Sequence, residues 1–322
     1  MFQSDFDVQR AILYETPEPH PFTATHYMLL AEALELQRIK PQDHVLVASL
    51  NDQMIVMPML DMIYYHVAQG HWNGVDWMAS FCVLCNAGSL FNAHLNETLY
   101  HFAAQGYYDA MSLIADQETS SYWNHITGVC LHGPLAGARL ERLAPLIQMT
   151  SAEAITTYPN SHLMLMTMTD AERSEADRYF ATYRLPQEPK MGQGLLATLP
   201  APDARLPRFD MGLGIWTRTT QRYYPVTTLY QKHNALIDEV DGCTVVVVLD
   251  VNVTLPIAFY WQTQQLEFHG DTLILGADTT YRKGVLYEKG RPMPVERPNQ
   301  HAIRWYGFSS LFPNCEIYGQ KK

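Results

Sequence analysis

The fold is organised around the stretch Trp77-Met-Ala-Ser-Phe-Cys-Val-Leu-Cys-Asn-Ala-Gly-Ser-Leu-Phe91. Its first half is a largely apolar run, which is typical of a strand. Cys82 and Cys85 follow, and then a segment that contains Gly88. Two thiols this close in sequence can share a metal ion or form a disulfide. We therefore predict a buried strand that ends at a candidate chemical site.

The spacing of the two cysteines sets a geometric condition. In an extended strand, residues three apart point to opposite faces, so both thiols reach one ion only if the chain turns at or after Val83. The segment Asn86-Ala-Gly88 can supply that turn. Thiolates prefer zinc, copper or iron, with copper as copper(I). Because the sequence holds one Cys-x-x-Cys, the remaining ligands come from elsewhere, and the candidates are His66, His101 and Cys130. In the alternative interpretation, the two reduced cysteines pack only as small apolar side chains.

The composition restricts the class of protein. With 322 residues, 47% of them apolar and 17% charged, the chain can bury one large core or two average ones. The net charge of −11, from 22 basic and 33 acidic residues without a basic cluster, argues against a nucleic-acid partner. The sequence has no apolar run of membrane-spanning length and no signal-peptide pattern at its start, so we expect no membrane partner and a cytoplasmic location with reduced thiols. A small-molecule ligand is compatible with these properties, whereas enzymatic activity and oligomeric state are left open.

The patterning along the chain predicts four regions. Residues 1–43 form an N-terminal arm and a helix that begins at Thr23 or Thr25 and ends near Arg38. Residues 44–169 form a first β module, with a hairpin over 44–57 and a helix over 60–68. Residues 170–208 form a charged helix and a proline-rich linker, and residues 209–322 form a second β module.

The second module repeats landmarks of the first in the same order. Pro58, Gly74 and Phe91 have counterparts at nearly constant spacing, namely Pro225, Gly242 and Phe259. We therefore predict a mainly β (α+β) fold of two duplicated β-rich modules with short helices. We expect the modules to pack together, because apolar strands such as 245–248 need cover on both faces. Asp250 and Val253 stand where the two cysteines would be, so we expect aliphatic surroundings and no ion there.

Several motifs resemble a known family, the bacterial and archaeal proteins of the domain of unknown function 3179. They are Cys82-Val-Leu-Cys85-Asn-Ala-Gly88, Gly106-Tyr-Tyr-Asp-Ala110, Asp116-Gln-Glu-Thr-Ser-Ser-Tyr-Trp123, Gly133-Pro-Leu-Ala-Gly-Ala-Arg-Leu140 and the Tyr158-Pro turn. The resemblance covers roughly residues 20–168 and is weaker in the second module. In this chain Val83 replaces the proline of the family's Cys-Pro-Leu-Cys, and His66 falls one place after the family's histidine. The resemblance implies a fold and a site location but no reaction.

Other polar groups near the motif have simpler interpretations. His94, His101, His125 and His132 follow the cysteines, and each by itself is more typical of a surface or core histidine. Asp116 to Ser120 is typical of a polar turn, and the loop 133–137 lacks the Lys-Ser/Thr ending of a phosphate loop.

Two functional hypotheses follow from the sequence. The first is a metal- or thiol-dependent site of redox type, with Cys82 and Cys85 as catalytic groups and with Cys82, Cys85, His66 and His101 as metal ligands. It predicts that His66 or His101 lies within direct or one-water reach of a cysteine sulfur. The second is a non-catalytic binding or assembly module in which the cysteines only pack.

Overall fold

A computed structural model describes residues 6–15, 22–166, 168–183, 191–199, 201–250, 255–282, 285–293 and 295–320. Within these residues the chain is mainly β with short helices, as the sequence predicts. The chain divides into two compact units, Met1–Pro202 and Asp203–Lys322. None of the helices in the described ranges has both the length and the apolar character needed to cross a membrane.

The described residues of the first unit form seventeen strands, five α-helices and one 3-10 helix at Val8–Arg10. Its strands are β1 Ala11–Leu13, β2 Phe22–Ala24, β3 Tyr27–Leu29, β4 His44–Leu50, β5 Gln53–Pro58, β6 Val67–Trp72, β7 Val75–Cys82, β8 Ala87–Asn92, β9 His94–Leu95, β10 Thr98–Leu99, β11 Phe102–Tyr108, β12 Met111–Asp116, β13 Tyr122–Asn124, β14 Cys130–His132, β15 Arg142–Ala144, β16 Ile147–Thr150 and β17 His162–Met164. Its helices are α1 Leu30–Glu35, α2 Met59–Tyr65, α3 Ser151–Thr157, α4 Asp170–Tyr183 and α5 Gln193–Ala197.

Three five-stranded sheets build this unit. Sheet A has the order β1-β11-β12-β13-β14, sheet B has the order β15-β8-β7-β6-β2, and sheet C has the order β16-β4-β5-β17-β3. One apolar cluster joins sheet C to residues such as Trp77 and Ala79 on one face of β7. A second cluster joins Met78, on the other face of β7, to Phe102 and Trp123 of sheet A. Sheet B therefore lies between the other two, which explains why the quoted stretch is apolar at successive positions.

The second unit repeats part of this connectivity. Its strands are β18 Met211–Trp216, β19 Gln221–Pro225, β20 Ala235–Val240, β21 Cys243–Asp250, β22 Leu255–Tyr260, β23 Glu267–His269, β24 Thr272–Gly276, β25 Thr279–Arg282, β26 Val285–Glu288, β27 Arg291–Met293, β28 Asn299–Arg304 and β29 Glu316–Ile317, and its helices are α6 Val226–Gln231 and α7 Trp305–Leu311. The sheet order β28-β18-β19-β29 matches β16-β4-β5-β17 of sheet C, and in both the last strand is parallel to its neighbour.

Some local expectations are confirmed and others are wrong. The hairpin of β4 and β5 forms as predicted, with Asn51 and Asp52 in the left-handed region that such a turn requires. The helix expected from Thr23 or Thr25 to Arg38 is wrong, because Tyr27–Leu29 pairs with β17 and the helix is limited to α1. The helix expected over 60–68 ends at Tyr65, where the next residue has a φ of 58° and Val67 begins β6.

The proline-rich linker carries one short helix, α5, and the boundary between the units falls inside the linker at residue 202. The expectation for the surroundings of Asp250 and Val253 lies outside the described residues, since Val253 and the side chain of Asp250 are not described.

Candidate metal centre

The strand β7 and the turn after it place the two cysteines. Cys82 is the last residue of β7 and pairs with Ala87, and the four residues between them form the turn that the cysteine spacing requires. Asn86 closes the turn with a φ of 60°, in the left-handed region that asparagine tolerates. Gly88 lies so close to β7 that a Cβ on it would come within 2.1 Å of the Ser80 carbonyl oxygen. The absence of a side chain at Gly88 therefore permits the close pairing of the two strands.

A loop of sheet A supplies an imidazole that faces the cysteines. His125 directly follows β13, and the Asn124 side chain accepts hydrogen bonds from the backbone N–H groups of Ile126 and Thr127, each at 2.9 Å. Two serines of sheet B also hold this loop. Ser80 donates to the His125 carbonyl at 3.1 Å, and Ser89 donates to the Ile126 carbonyl at 2.9 Å. The loop that carries His125 is thus held both by hydrogen bonds within itself and by hydrogen bonds from sheet B.

Cys82, Cys85 and His125 form one group of metal-ligating atoms. Their sulfur and nitrogen atoms all lie within 4.8 Å of one another, and His125 Nε2 is 3.9 Å from Cys85 Sγ. The exposed fraction is 1% for Cys82 and 0% for both Cys85 and His125. In the part of the chain that the structure describes, this is the one group of three or more such residues with the geometry to hold an ion.

The protonation states of this group suit metal binding. Burial disfavours a Cys82 thiolate, but hydrogen bonds from Cys85 and Ser112 outweigh this effect and lower the pKa of Cys82 to about 6. Burial and, to a smaller extent, the neighbouring His66 lower the pKa of His125 to about 3. At neutral pH the group therefore presents a thiolate and a neutral imidazole, which are the forms that bind metals.

His66 lies beside this group without being one of its three members. It follows α2, and its backbone carbonyl accepts the Phe81 N–H at 2.9 Å. Its ring Nδ1 lies 3.3 Å from the Phe81 carbonyl oxygen. Because a carbonyl only accepts, Nδ1 carries the proton and Nε2 carries the lone pair. Burial lowers the pKa of His66, so this imidazole is also neutral at physiological pH.

The other candidate ligands lie elsewhere in the unit. The half-exposed ring of His101 is 2.6 Å from Glu118 Oε1, and His101 is not a member of the group. Cys130 is buried in the core between sheets A and B, and its thiol donates to the His132 carbonyl. Asp116 forms the expected polar turn, accepting hydrogen bonds from Thr119 and from the Trp123 indole.

The sequence pattern does not distinguish His125 from its neighbouring histidines. The cysteines stand out by their spacing, whereas His125 is forty positions after Cys85 and is brought back by the pairing of β12 with β13. The available local signal was the Asn124-His-Ile-Thr-Gly128 turn directly after a short strand. Turns at strand ends are where β scaffolds present functional groups, but several histidines shared that description.

Comparisons with known proteins give a family without an assigned activity. Searches of curated proteins and of solved structures gave no match to the chain. One family model, described as "Protein of unknown function (DUF3179)", matches residues 27–314. This range spans both structural units and most of the 322 residues. The chain therefore belongs to the DUF3179 family of proteins of unknown function.

Proposed function

We propose that the chain is a metalloprotein whose first unit binds one thiophilic transition-metal ion through Cys82, Cys85 and His125. The observation that supports this most directly is the convergence of two sulfurs and one imidazole nitrogen within 4.8 Å in a buried place. Cysteines that only pack do not require an imidazole nitrogen oriented towards them. The packing alternative therefore accounts for the burial but not for the composition of the group.

The donor set favours particular metals. Two thiolates and an imidazole suit zinc, copper(I) or iron, and they do not suit magnesium or calcium, which prefer oxygen ligands. Zinc bonds of about 2.3 Å to sulfur and about 2.0–2.1 Å to nitrogen give a tetrahedral ligand-to-ligand distance of roughly 3.6 Å. The 3.9 Å between Cys85 Sγ and His125 Nε2 differs from this value by a few tenths of an ångström. A small shift of either side chain would bring this pair to the distance that zinc requires.

Three protein ligands leave one side of a tetrahedral ion open, as in catalytic zinc sites. We assign His66 to that side, as the fourth ligand or as the hydrogen-bond partner of a small molecule bound there. Its neutral ring, its Nε2 lone pair and its electrostatic influence on His125 support this assignment. A metal-dependent reaction of redox type on a small molecule is the activity that such a site would serve.

Thiol–disulfide exchange is a weaker alternative for the same cysteines. The lowered pKa of Cys82 favours a reactive thiolate. However, exchange requires direct attack on a sulfur by a partner thiol, and the two cysteines are 1% and 0% exposed. A metal ion can be loaded during folding, whereas a partner protein needs access to the folded site. Burial therefore supports the metal interpretation.

The proposal is tested by the metal content of the purified protein. We expect one transition-metal ion per chain in the wild type and its loss in Cys82→Ser, Cys85→Ser and His125→Ala. Cys130→Ser is the matched control, because Cys130 is a buried thiol of the same unit that lies outside the group, and it should retain the metal. A metal-free wild type that also fails to take up zinc, copper(I) or iron(II) after reduction would refute the proposal.

A further variant, His66→Ala, tests whether His66 takes part in the site. His66→Ala should retain the sulfur ligands and bind the metal more weakly, while a thiolate-to-cobalt absorption band in the cobalt-substituted protein should shift. If the cobalt spectrum and the affinity of His66→Ala both equal those of the wild type, His66 has no part in the site.

A further inference from the structure

We propose that Ser80 is a positioning residue that sets the tautomer of His125, so that the Nε2 lone pair faces the two thiols before any metal binds. This inference deepens the proposed metal site and rests on it for its consequence. The tautomer itself is a property of the metal-free chain.

Ser80 has a single hydroxyl proton, and two atoms of His125 lie near its oxygen. Its hydroxyl oxygen lies 3.1 Å from the His125 carbonyl oxygen and 3.5 Å from the His125 ring Nδ1. A carbonyl oxygen only accepts, so the single serine proton goes to the carbonyl. The contact with Nδ1 is then favourable only if Nδ1 carries a proton and points it at the serine oxygen. The opposite tautomer would place two lone pairs against each other.

Protonation of His125 Nδ1 determines the state of Nε2, on the opposite side of the imidazole ring. A neutral imidazole carries one proton, so protonation of Nδ1 leaves the lone pair on Nε2. Nε2 is the atom that lies 3.9 Å from Cys85 Sγ. Ser80 thus selects the one tautomer that can donate an electron pair into the centre of the group. Groups that bond the remote nitrogen of a metal-binding histidine commonly fix its tautomer and orientation in this way.

The placement of Ser80 makes this control rigid. Ser80 stands two positions before Cys82 on β7, so both side chains are on the same face of sheet B, towards sheet A. Its exposed fraction is 0%, and water therefore does not compete for its hydroxyl. Strand β7 thus positions the Cys82 thiol and, through Ser80, orients the imidazole of His125 that faces it.

The chain offers a matched control in Ser89. Ser89 is the cross-strand partner of Ser80, is equally buried, and donates to the Ile126 carbonyl of the same loop at 2.9 Å. Removing either hydroxyl takes away one anchor of the loop. The structure assigns the bond to the His125 ring to Ser80, so the two alanine variants should differ in the state of the ring.

The first test uses the reduced, metal-free wild-type protein. Long-range nitrogen–proton correlation NMR reports which ring nitrogen of each histidine is protonated, and comparison with His125→Gln assigns the signals of His125 among the 13 histidines. We expect a protonated Nδ1 and a lone pair on Nε2. A protonated Nε2 in the wild type overturns the proposal, whatever the behaviour of any variant.

The second test compares Ser80→Ala with Ser89→Ala after near-ultraviolet circular dichroism has shown that both are folded. We expect Ser80→Ala to show a mixture of tautomers or a protonated Nε2 and to lose about 10–100-fold in zinc affinity. Ser89→Ala should keep the wild-type tautomer and most of the affinity. An unchanged tautomer in Ser80→Ala, or equal losses of affinity in the two variants, contradicts the inference. If the wild type has the expected tautomer but binds no metal, the proposed function fails while the role of Ser80 in the tautomer stands.

Discussion

At the scale of single residues, two buried cysteines of one unit differ in what they face. Cys82 lies in a group with a second thiol and an imidazole, whereas the thiol of Cys130 donates to the His132 carbonyl within an apolar core. Both are small buried side chains, so their replacement by alanine removes a similar amount of packing. We therefore expect the two substitutions to differ in their effect on stability only when a metal is present.

We therefore predict a metal-dependent difference in stability between Cys82→Ala and Cys130→Ala. With a chelator present, each should lower the free energy of unfolding by about 1–2 kcal/mol. At a metal concentration 100 times the Kd, the wild type and Cys130→Ala should gain about 2.7 kcal/mol by mass action, and Cys82→Ala should not. Urea unfolding with and without metal measures these values, and equal metal stabilisation of both variants would contradict the assignment of Cys82.

These residues also show how far the sequence predicts the site. Cys82 and Cys85 were predictable, because three positions of local chain decide whether two thiols can meet. His125 was not, because its approach depends on the packing of sheet A against sheet B, which no local pattern specifies. The partner of His101 was equally hidden from local pattern, because Glu118, seventeen positions later, pairs with its ring.

At the scale of elements, the pairing of β7 with β8 is the feature on which the site depends most. A Cβ on Gly88 would lie 2.1 Å from the Ser80 carbonyl oxygen and 3.0 Å from a Phe81 ring carbon. We predict that Gly88→Ala lowers the free energy of unfolding by about 1–3 kcal/mol and weakens metal binding, since it pushes apart the strands that carry the site. Gly192→Ala, where a Cβ would meet nothing within 4 Å, is the control. Thermal unfolding and zinc titration of both variants check this, and equal behaviour would contradict it.

Packing of α4 on α2 buries a carboxylate and should make stability depend on pH. Asp61 of α2 is 2% exposed, and Arg173 of α4 donates to it at 3.3 Å. Burial, with a small contribution from Asp43, outweighs the opposing effect of Arg173 and raises the pKa of Asp61 to about 6. The folded state thus holds this proton more tightly than the unfolded state. The contribution of Asp61 to stability is complete below about pH 4 and is lost as the pH rises through about 6.

We therefore predict that Asp61→Asn gains stability relative to the wild type between pH 4 and pH 7.5, by on the order of 2–3 kcal/mol. Urea unfolding across this pH range measures the change. Asp177→Asn, a substitution at an exposed position of α4, is the control and should follow the wild type. A constant difference between Asp61→Asn and the wild type across the range would show that burial of this carboxylate is not coupled to folding.

At the scale of the whole molecule, the two units share a strand order, and among the described residues the candidate site is found in the first unit. The match between β16-β4-β5-β17 and β28-β18-β19-β29, including the parallel last strand, supports the predicted duplication. Hydrogen bonds also align the units, since the Leu249 N–H donates to the Asn234 carbonyl as the Phe81 N–H donates to the His66 carbonyl. By this alignment, the second unit has asparagine at the position of His66. The duplication stays a prediction. The asparagine at the position of His66 predicts that metal chemistry belongs to one unit.

Hydrogen exchange measured by mass spectrometry tests this division. Addition of metal should slow amide exchange in the β7–β8 turn and in the 124–128 loop, because binding stabilises the segments that hold the ligands. Peptides from residues 203–322 should exchange at unchanged rates. Equal protection of both units would contradict a site confined to the first.

The X-ray absorption spectrum of the metal in the purified protein reports the ligand atoms themselves and is the decisive experiment. We predict two sulfur ligands, at about 2.3 Å if the metal is zinc, and at least one imidazole nitrogen at about 2.0–2.1 Å. In Cys85→Ser loaded with added metal the sulfur count should fall, and in Cys130→Ser it should not change. A spectrum with only oxygen and nitrogen ligands, or a sulfur count that is the same in Cys85→Ser as in the wild type, would contradict a metal centre built from Cys82, Cys85 and His125.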